Sequence, residues 1–240
     1  MIRIALIGYG KMGKTIEKLI TENYPDMSVV LRINSQNSDE CTALNLRNAD
    51  VAIEFSSPHT AYHNILQCFE ANIPVVCGST GWYEELNIVK QLCNEKNNTL
   101  LYATNFSIGV NLFFELNKKL AHLMQHQKYS LRIDETHHTQ KLDKPSGTAV
   151  SIAQDIIQNN ATYSNWNLNE ATHKENIPVF AHREEHVPGT HTVSYTNEID
   201  QIQITHTAFS REGFADGAIQ ASRWIIGKQG FFQMKDVLSL

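Results

Sequence analysis

A glycine-rich loop near the start of the chain restricts the possible folds more than any other segment. It follows an apolar run, Ile2–Ile7, precedes a helical pattern that extends through Asn23, and consists of Gly8, Tyr9, Gly10, Lys11, Met12 and Gly13. The Gly-x-Gly-x-x-Gly spacing between a strand and a helix is typical of dinucleotide-binding folds, because glycines permit a tight turn and a close approach of the backbone to a pyrophosphate. An ordinary tight turn would use the same residues, but the chain that follows favours a nucleotide site.

The rest of the first half continues this pattern of buried strands and amphipathic helices. Helices are predicted at Thr60–Ala71 and Glu84–Asn97, and further strands at Met27–Ile33, Val51–Phe55, Pro74–Gly78 and Leu100–Thr104. Strands that alternate with helices form parallel sheets, which are covered by helices on both faces. The first half therefore predicts a Rossmann-like α/β domain, in which the polar stretch Asn34–Asn48 is a surface connection.

Polar and small residues follow several of these strands, at the sheet edge where open α/β sheets bind ligands. Many NAD enzymes place an acidic residue after the second strand, whereas this chain has Asn34, which can bind a ribose hydroxyl without repelling a 2′-phosphate. Arg32 either pairs with such a phosphate or points to solvent. Later strand ends supply further candidates for the nicotinamide side of the cofactor, namely Gly78, Ser79, Thr80, Ala103, Thr104, Asn105 and Phe106. We expect both NADH and NADPH to bind.

The pattern changes past Ser107. An amphipathic segment, Val110–Met124, leads to a short extended run at Tyr129–Ile133, a charged loop, and a helix that starts after Thr148 and ends near Asn159. No element is predicted in the polar span Asn160–Asn176, after which three strands follow in series, around Val179–Ala181, Thr190–Tyr195 and Gln201–Ala208. Serial strands without intervening helices predict an antiparallel or mixed sheet.

These patterns divide the chain into two domains. Residues 107–210 are predicted to form a second domain of α+β type. The last amphipathic segment, Phe214–Gly227, is predicted to be a helix that returns to cover the first sheet. The dinucleotide-binding domain therefore comprises residues 1–106 and 211–240, and the chain of 240 residues is long enough for both domains.

The charged loop of the second domain concentrates titratable groups. It contains Glu135, His137, His138 and Lys141, and it closes on a Pro-Ser-Gly-Thr segment at residues 145–148, ahead of the predicted helix. The free backbone N–H groups at a helix start lie at the positive end of the helix dipole and bind carboxylates or phosphates. A solvated loop with an ordinary Ser/Thr cap would explain any one of these residues. Their combination favours a site for an anionic substrate.

The string Glu-x-His-His-x-x-Lys-x-Asp-x-Pro-Ser-Gly-Thr-Ala at residues 135–149 resembles the signature of the dihydrodipicolinate reductase (4-hydroxy-tetrahydrodipicolinate reductase) family. Five further segments support the resemblance, which covers almost the whole chain: the glycine loop and residues 50–58, 78–81, 103–111 and 214–218 accompany the signature. The resemblance implies NAD(P)H-dependent reduction of 4-hydroxy-tetrahydrodipicolinate to tetrahydrodipicolinate, in the diaminopimelate route to lysine. It also implies a homotetramer in which the substrate domains pack their sheets together.

The resemblance also implies roles for individual residues. His137 corresponds to the general acid/base of the family, Lys141 to its proton donor, and His138 to a ligand of the substrate. Gly147 and Thr148 correspond to its carboxylate cradle. The chain departs from the family pattern in a glycine loop one residue shorter than in many members, in Ser79 where Thr is usual, and in Asn34 where an acid is usual; the last leaves the cofactor preference open.

The chemistry implied by the resemblance agrees with these residue types. Reduction of a cyclic unsaturated dicarboxylate adds a hydride at one carbon and a proton at its neighbour, so the site needs a hydride donor, an acid, and cationic or N–H groups for two carboxylates. Histidine can supply the proton near neutral pH. Lys141 and the helix start can neutralise the carboxylates.

Composition excludes several other functions. The formal net charge is -5 and no block of Lys or Arg stands out, so neither nucleic acid nor a membrane surface is an expected partner. The chain shows no signal-peptide pattern and no apolar run of bilayer length, which predicts a cytoplasmic protein. Its four cysteines form no Cys-x-x-Cys pair and are predicted to be buried free thiols: Cys41, Cys68, Cys77 and Cys93.

A metal site is not expected from the histidines. His137 and His138 are adjacent and would point to opposite sides of an extended segment, and the pair His182 and His186 lacks the glutamate of a zinc-protease helix. His191 and His206 lie on predicted strands, where sheet residues with satisfied hydrogen bonds are the simpler interpretation.

Two other functions would use the same first half. A semialdehyde or amino-acid dehydrogenase with this nucleotide fold should show a catalytic Cys in a loop before a helix, or a Tyr-x-x-x-Lys pair, and the sequence shows neither. A nucleotide-sensing protein would need the glycine loop without a charged substrate loop. The density of titratable groups between Glu135 and Lys144 therefore argues against a sensor.

Overall fold

The computed structural model describes residues 1–170, 173–210 and 212–240. It divides into two compact units, the first formed by Met1–Ile108 with Glu212–Leu240 and the second by Gly109–Arg211. Residue 211, where the sequence predicts the return to the first domain, lies outside the described residues.

The strands of the described chain are, in order, β1 (Ile2–Ile7), β2 (Met27–Ile33), β3 (Val51–Glu54), β4 (Val75–Cys77), β5 (Thr99–Tyr102), β6 (Ser130–His137), β7 (Asn165–Leu168), β8 (Asn176–Arg183), β9 (Gly189–Thr196), β10 (Gln201–Ala208) and β11 (Gly230–Phe232). The α-helices are α1 (Lys11–Asn23), α2 (Ala43–Leu46), α3 (Pro58–Ala71), α4 (Leu86–Lys96), α5 (Ile108–Met124), α6 (Gly147–Asn159), α7 (Glu212–Ile225) and α8 (Met234–Val237). A short 3-10 turn, Ser38–Glu40, lies between β2 and α2.

Unit 1 contains the predicted parallel sheet. Its six strands have the order β11-β5-β4-β3-β1-β2, and every pair is parallel. Successive side chains of a strand point to opposite faces, so Ile4 and Leu6 of β1 join a core with α1 and α7, whereas Ala5 and Ile7 join a core with α3 and α4. Helices therefore cover both faces, as the sequence predicts. The core between the sheet and helices α3 and α4 also contains all four cysteines, which are buried free thiols as the sequence predicts.

The helix α7 returns to this sheet, as the sequence predicts. Ala215, Ala218 and Ile219 are buried in the same core as the β1 residues Ile4 and Leu6. A glycine is needed where the helix meets the segment after β5, because a Cβ at Gly217 would lie 1.8 Å from the carbonyl oxygen of Phe106. After α7 the chain adds β11 at the sheet edge, an element that the sequence pattern misses because it has three residues.

Unit 2 contains a mixed sheet of five strands in the order β10-β9-β6-β8-β7. β6 pairs in parallel with β8 and antiparallel with β9, which confirms the predicted mixed sheet. One face is apolar and packs against α5 and α6, with a core that includes Phe113, Ile152, Ile133, Val193 and Tyr195. The edge strand β7 lies in the span for which no element is predicted; its sequence, Asn-Trp-Asn-Leu, has little apolar pattern, and pairing with β8 makes it a strand.

The strand β6 is longer than the sequence predicts. The predicted strand ends at Ile133, but β6 continues through His137, so Glu135 and His137 belong to a strand and not to a loop. Both side chains are buried on the helix-covered face, where an alternating pattern would place apolar residues. Hydrogen bonds supplied by other segments of the unit stabilise these polar groups, and the local pattern does not indicate those bonds. No helix in the described parts of the chain has the length and apolar character that crossing a membrane requires.

Candidate active site

A cavity of about 360 Å³ opens at the carboxyl ends of β1, β2 and β3 in unit 1. It is lined by residues 7–10 and 33–35, by Ser38, by residues 55–57, and by Thr60 and Asn64. β3 and β2 lie on opposite sides of β1, so the direction of the strand order reverses here, and such switch points bind ligands in open α/β sheets. Of the residues that the sequence analysis assigns to the cofactor, Gly8, Tyr9, Gly10 and Asn34 line this cavity.

The glycine loop has the close backbone contacts that its sequence predicts. Gly8 has a φ of 95°, and a Cβ there would lie 2.1 Å from the carbonyl oxygen of Phe55. A Cβ at Gly13 would lie 2.8 Å from the carbonyl oxygen of Gly8. Apart from its chain neighbours, no described residue has an atom within 4 Å of a Cβ built on Gly10, so this side of the loop is open. Lys11 and Met12 begin α1, whose N-terminus therefore presents backbone amides to this edge, an arrangement that fits a pyrophosphate.

Asn34 is held in a turn at the end of β2. Its Oδ1 accepts a hydrogen bond of 2.8 Å from the amide of Gln36, and its own amide donates to Oδ1 of Asn37 at 2.8 Å. Because Oδ1 is used in the turn, the side chain is left to present its NH₂ donor to a ligand. A donor can bind either a ribose oxygen or a phosphate oxygen, whereas an acidic residue here would only accept.

Arg32 keeps 44% of its side chain exposed and pairs with an acidic residue of α1. Its Nε donates to Oε1 of Glu17 at 2.9 Å, and its Nη2 also contacts that carboxylate. Glu17 accepts a further hydrogen bond from the hydroxyl of Tyr9. The interaction with Arg32 lowers the pKa of Glu17, so the carboxylate stays ionised and neutralises the guanidinium. Arg32 is therefore a weaker candidate for a 2′-phosphate than its position in the sequence suggests.

A polar cluster behind the cavity includes residues that sequence reasoning does not assign. Glu54 is fully buried at the end of β3 and accepts hydrogen bonds from the amide of Ser56 at 3.0 Å and from Nδ2 of Asn64 at 3.3 Å. The thiol of Cys77 donates to the same carboxylate at 3.1 Å. Glu54 thus holds Ser56 and Asn64 in the cavity wall. Residues 50–58 are part of the family resemblance, which was the available signal for this cluster.

The remaining cofactor candidates directly follow β4 and β5, at the same edge of the sheet. Ser79 is buried and its carbonyl oxygen accepts a 2.7 Å hydrogen bond from the indole N–H of Trp82, while Thr80 is exposed. After β5, Oδ1 of Asn105 accepts from the amide of Ser107 at 2.9 Å, which fixes the turn. Gly78, Ala103, Thr104 and Phe106 accompany them along the segments that follow these strands.

In unit 2 the strand register gathers four polar side chains on the buried face of the sheet. His137 lies opposite Arg183 in the β6–β8 pairing, and Glu135 lies opposite His191 in the β6–β9 pairing. Side chains two residues apart on β6 share a face, so these four groups are neighbours. The sequence predicts His137 in the site but contains no local signal for Arg183 or His191, because strands that are distant in sequence bring them there.

Glu135 is the centre of this group. One carboxylate oxygen contacts Nδ1 of His137, and the other accepts from Nη1 of Arg183 at 2.9 Å and from the amide of Ser146 at 3.3 Å. Burial by itself would raise the pKa of Glu135, but the hydrogen bonds from His137 and Arg183 outweigh burial and lower the pKa to about 2. The carboxylate is therefore ionised at neutral pH and acts only as an acceptor.

Arg183 also fixes the loop that follows β6. Its Nε donates to the carbonyl oxygen of Lys141 at 3.2 Å, and its Nη2 donates to the carbonyl oxygen of Asp143 at 2.5 Å. The ammonium of Lys141 lies 2.8 Å from the carboxylate of Asp143, and this contact lowers the pKa of Asp143. The side chain of Lys141 is mostly enclosed, with 24% of its area exposed. His138 follows the end of β6 and is half-buried.

The helix α6 begins at the end of this loop, as predicted. Ser146 is the N-cap, and its Oγ accepts a hydrogen bond of 3.2 Å from the amide of Ala149. Gly147 and Thr148 form the first turn, at the positive end of the helix dipole. Apart from its chain neighbours and the backbone of α6, no atom in the described part of the chain lies within 4 Å of a Cβ built on Gly147. Backbone amides in an open first turn of this kind can bind a carboxylate.

His191 packs beside the candidate acid. Its Nε2 is 3.1 Å from Oγ of Ser146, and its ring centroid is 5.1 Å from that of His137. Burial, with a smaller contribution from the charge of His137, lowers the pKa of His191 to about 3, so this ring is neutral at physiological pH. Nδ1 of His191 is buried and has no hydrogen-bond partner among the described residues, so the expectation of a satisfied sheet residue holds for Nε2 only.

The same residues form a potential metal-ligand group. Glu135, His137 and His191 each offer a ligand atom within 4.8 Å of the others. Both oxygens of Glu135 already have partners in Arg183, Ser146 and His137, and the guanidinium balances the carboxylate charge. A cation would have to displace this ion pair, so the arrangement favours a hydrogen-bond network. The absence of a metal stays a prediction.

Comparison with known proteins gives a consistent result for both units. The family model described as the N-terminus of dihydrodipicolinate reductase matches residues 2–106, and the model of its C-terminus matches residues 109–238. The chain is similar to the 4-hydroxy-tetrahydrodipicolinate reductase of Christiangramia forsetii, with 50% identity over 99% of this chain and 98% of that one. It is 31% identical to the reductase of the same description from Buchnera aphidicola, over 98% and 96% of the two chains.

A solved structure has the same fold. The dihydrodipicolinate reductase of Paenisporosarcina sp. TG-14, solved with dipicolinate bound, superimposes with a TM-score of 0.79 and 22% identity, over 97% of each chain. At this identity the likeness is evidence for the fold alone.

Proposed function

Since the chain belongs to the dihydrodipicolinate reductase family, we propose that it reduces 4-hydroxy-tetrahydrodipicolinate to tetrahydrodipicolinate with NADH or NADPH, a net reaction in which the 4-hydroxyl group leaves as water. The observation that carries the proposal is the environment of His137. This imidazole is buried at the end of β6, contacts an ionised carboxylate, and belongs to the same unit as Lys141 and the open first turn of α6. An acid together with groups that bind anions is what the reduction of an unsaturated dicarboxylate requires.

We assign cofactor binding to unit 1. The residues of the glycine loop fit the pyrophosphate, because Gly8 and Gly13 have no room for a side chain and the N-terminus of α1 presents amides. Asn34 would bind the adenosine ribose, and Gly78 to Thr80 with Ala103 to Phe106 would hold the nicotinamide end. When bound, the nicotinamide supplies a hydride to the substrate.

We assign substrate binding and proton transfer to unit 2. His137 donates a proton to the carbon next to the one that accepts the hydride, and the ammonium of Lys141 assists as a proton donor and carboxylate ligand. The amides of Gly147 and Thr148 bind one substrate carboxylate, and His138 contacts the substrate. The helix start needs no side chain for this task, which agrees with the open space at Gly147.

We propose a homotetramer in the cytoplasm, in which unit 2 forms the contacts between subunits. The helices α5 and α6 cover one face of the five-stranded sheet, and the other face carries residues with exposed side chains such as Arg132 and His182. The family resemblance supports packing of this second face between subunits. Light scattering coupled to gel filtration tests the proposal, because a monomer would contradict it.

A coupled assay tests the activity. We expect NADPH absorbance to fall when the condensation product of pyruvate and aspartate semialdehyde is added to the protein, and to stay constant when either precursor is left out. His137→Gln should abolish most of this activity, while His126→Gln, at an exposed position of the same unit, should leave it unchanged. Binding of NADPH without oxidation by the wild-type protein would instead indicate a nucleotide-sensing protein.

A further inference from the structure

We propose that Glu135 and Arg183 are positioning residues, which together fix the proton of His137 on Nδ1 and hold the Lys141 loop beside it. The inference rests on the proposed function, in which His137 is the acid. Glu135 and Arg183 thereby contribute to turnover through His137 and Lys141, without contacting the substrate themselves.

The partner of Nδ1 determines the tautomer of His137. Nδ1 of the ring faces the carboxylate of Glu135, which is fully buried and ionised, so the carboxylate can only accept a hydrogen bond. Nδ1 must therefore carry a proton in the neutral ring, and Nε2 is left as the atom that gains and loses the catalytic proton. In the reduction, the imidazolium gives its Nε2 proton to the substrate carbon and returns to the neutral ring with its proton on Nδ1.

The residue opposite Nε2 of His137 is a glycine. A Cβ built on Gly189 of β9 would lie 3.0 Å from Nε2 of His137 and 3.2 Å from its Cδ2. A side chain at this position would press on the edge of the ring that exchanges the proton. Glycine at position 189 therefore leaves Nε2 uncrowded, while Glu135 binds the other ring nitrogen.

An arginine suits position 183 because it both neutralises Glu135 and binds the loop. The carboxylate of Glu135 has no exposed area, and a buried charge without a partner is strongly destabilising. Arg183 supplies the opposite charge through Nη1, while its Nε and Nη2 donate to the carbonyl oxygens of Lys141 and Asp143. A planar guanidinium can make these three contacts at once, whereas the ammonium of a lysine is a single point of charge. Arg183 thus couples the orientation of the acid to the conformation of the loop.

Two variants and a matched control separate positioning from simple structural support. Glu135→Gln removes the charge but keeps the shape, and its amide can present either an acceptor or a donor to Nδ1. Arg183→Lys keeps the positive charge but replaces the planar guanidinium, with its several N–H donors, by a single ammonium. Arg223→Lys is the control, because Arg223 belongs to unit 1, has 47% of its side chain exposed and pairs with Asp26 at 2.7 Å.

The direct measurement is ¹⁵N NMR of the histidine ring nitrogens in the complete protein. We expect the neutral His137 ring of the wild-type protein to be protonated on Nδ1, and the ring of Glu135→Gln to show a mixture of the two tautomers. Protonation of the wild-type ring on Nε2 would overturn the proposal, and so would an unchanged tautomer in Glu135→Gln. This measurement does not depend on activity or on the folding of a variant, since the wild-type spectrum alone can refute the assignment.

Kinetics provide the second measurement. Glu135→Gln should lower kcat by about tenfold or more, because general acid catalysis depends on the correct protonation state, and should change the KM for the substrate little. Arg183→Lys should lower kcat and also raise that KM, because the Lys141 loop is released. Normal kcat in both variants would refute the role in turnover. The wild-type protein could fail to reduce the substrate although its His137 ring is protonated on Nδ1. That result would refute the proposed function but would support the assignment of Glu135 and Arg183 as the residues that position His137.

Discussion

Replacement of Asn34 by Asp should turn a protein that uses both nicotinamide cofactors into one that prefers NADH. Asn34 lines the cavity at the end of β2, and its Oδ1 accepts from the amide of Gln36 at 2.8 Å. An aspartate can keep this turn bond with one oxygen and offer the other to the ribose hydroxyls of NADH. A hydrogen bond to a charged group contributes about 1.5–3 kcal/mol.

The same charge opposes NADPH. A carboxylate at about 5 Å from a phosphate charge is repelled by roughly 1–3 kcal/mol for effective dielectric constants between about 80 and 20. The two effects act in the same direction on the ratio of specificity constants. Because solvent and side-chain motion reduce both effects, we expect the NADH/NADPH ratio of kcat/KM to rise by at least about thirtyfold, which corresponds to about 2 kcal/mol.

Steady-state kinetics with each cofactor at saturating substrate measure this ratio in the wild-type protein and in Asn34→Asp. The control is Asn48→Asp, which adds the same charge at an exposed position of unit 1 outside the cavity. A ratio that does not change would show that Asn34 is not at the ribose. A fall in kcat/KM of equal size with both cofactors would show that the substitution damages the site without changing specificity.

Three further predictions concern unit 2. Lys141→Ala should lose turnover heavily, whereas His138→Ala should chiefly raise the KM for the substrate; steady-state kinetics of both variants would contradict these roles if the two failed alike. His137→Gln should lower kcat by roughly a hundredfold or more, the scale of a lost general acid, while NADPH affinity measured by fluorescence stays near that of the wild type. Burial raises the pKa of Asp155 to about 6 in the folded protein, above its value in the unfolded chain. Asp155 must therefore ionise in a buried position as pH rises through about 6, and the free energy of unfolding falls. Asp155→Asn should therefore raise the free energy of unfolding in urea by about 1–3 kcal/mol at pH 8 and change it little at pH 4, and an equal gain at both values would refute a titration effect.

The sequence by itself determined the features that depend on local pattern. The run Ile2–Ile7 and the glycines after it specify a strand, a tight turn and a helix, because each requirement is met by consecutive residues. Alternation of strands and helices was enough to predict the parallel sheet of unit 1, and the serial strands of the second half predicted the mixed sheet of unit 2. The signature at residues 135–149 was specific enough to indicate the family, which both family models support.

The tertiary structure decided the features that depend on which distant segments meet. Arg183 reaches Glu135 because β8 pairs with β6, and no pattern near position 183 predicts that contact. The strand β6 extends to His137 because these buried polar groups find partners across the sheet, whereas local alternation ends the strand at Ile133. Arg32 pairs with Glu17 because α1 packs beside β2, so a cation that the sequence places near the ribose is already neutralised. Local sequence fixes backbone preferences, but the partner of a charged side chain is set by the packing of whole elements.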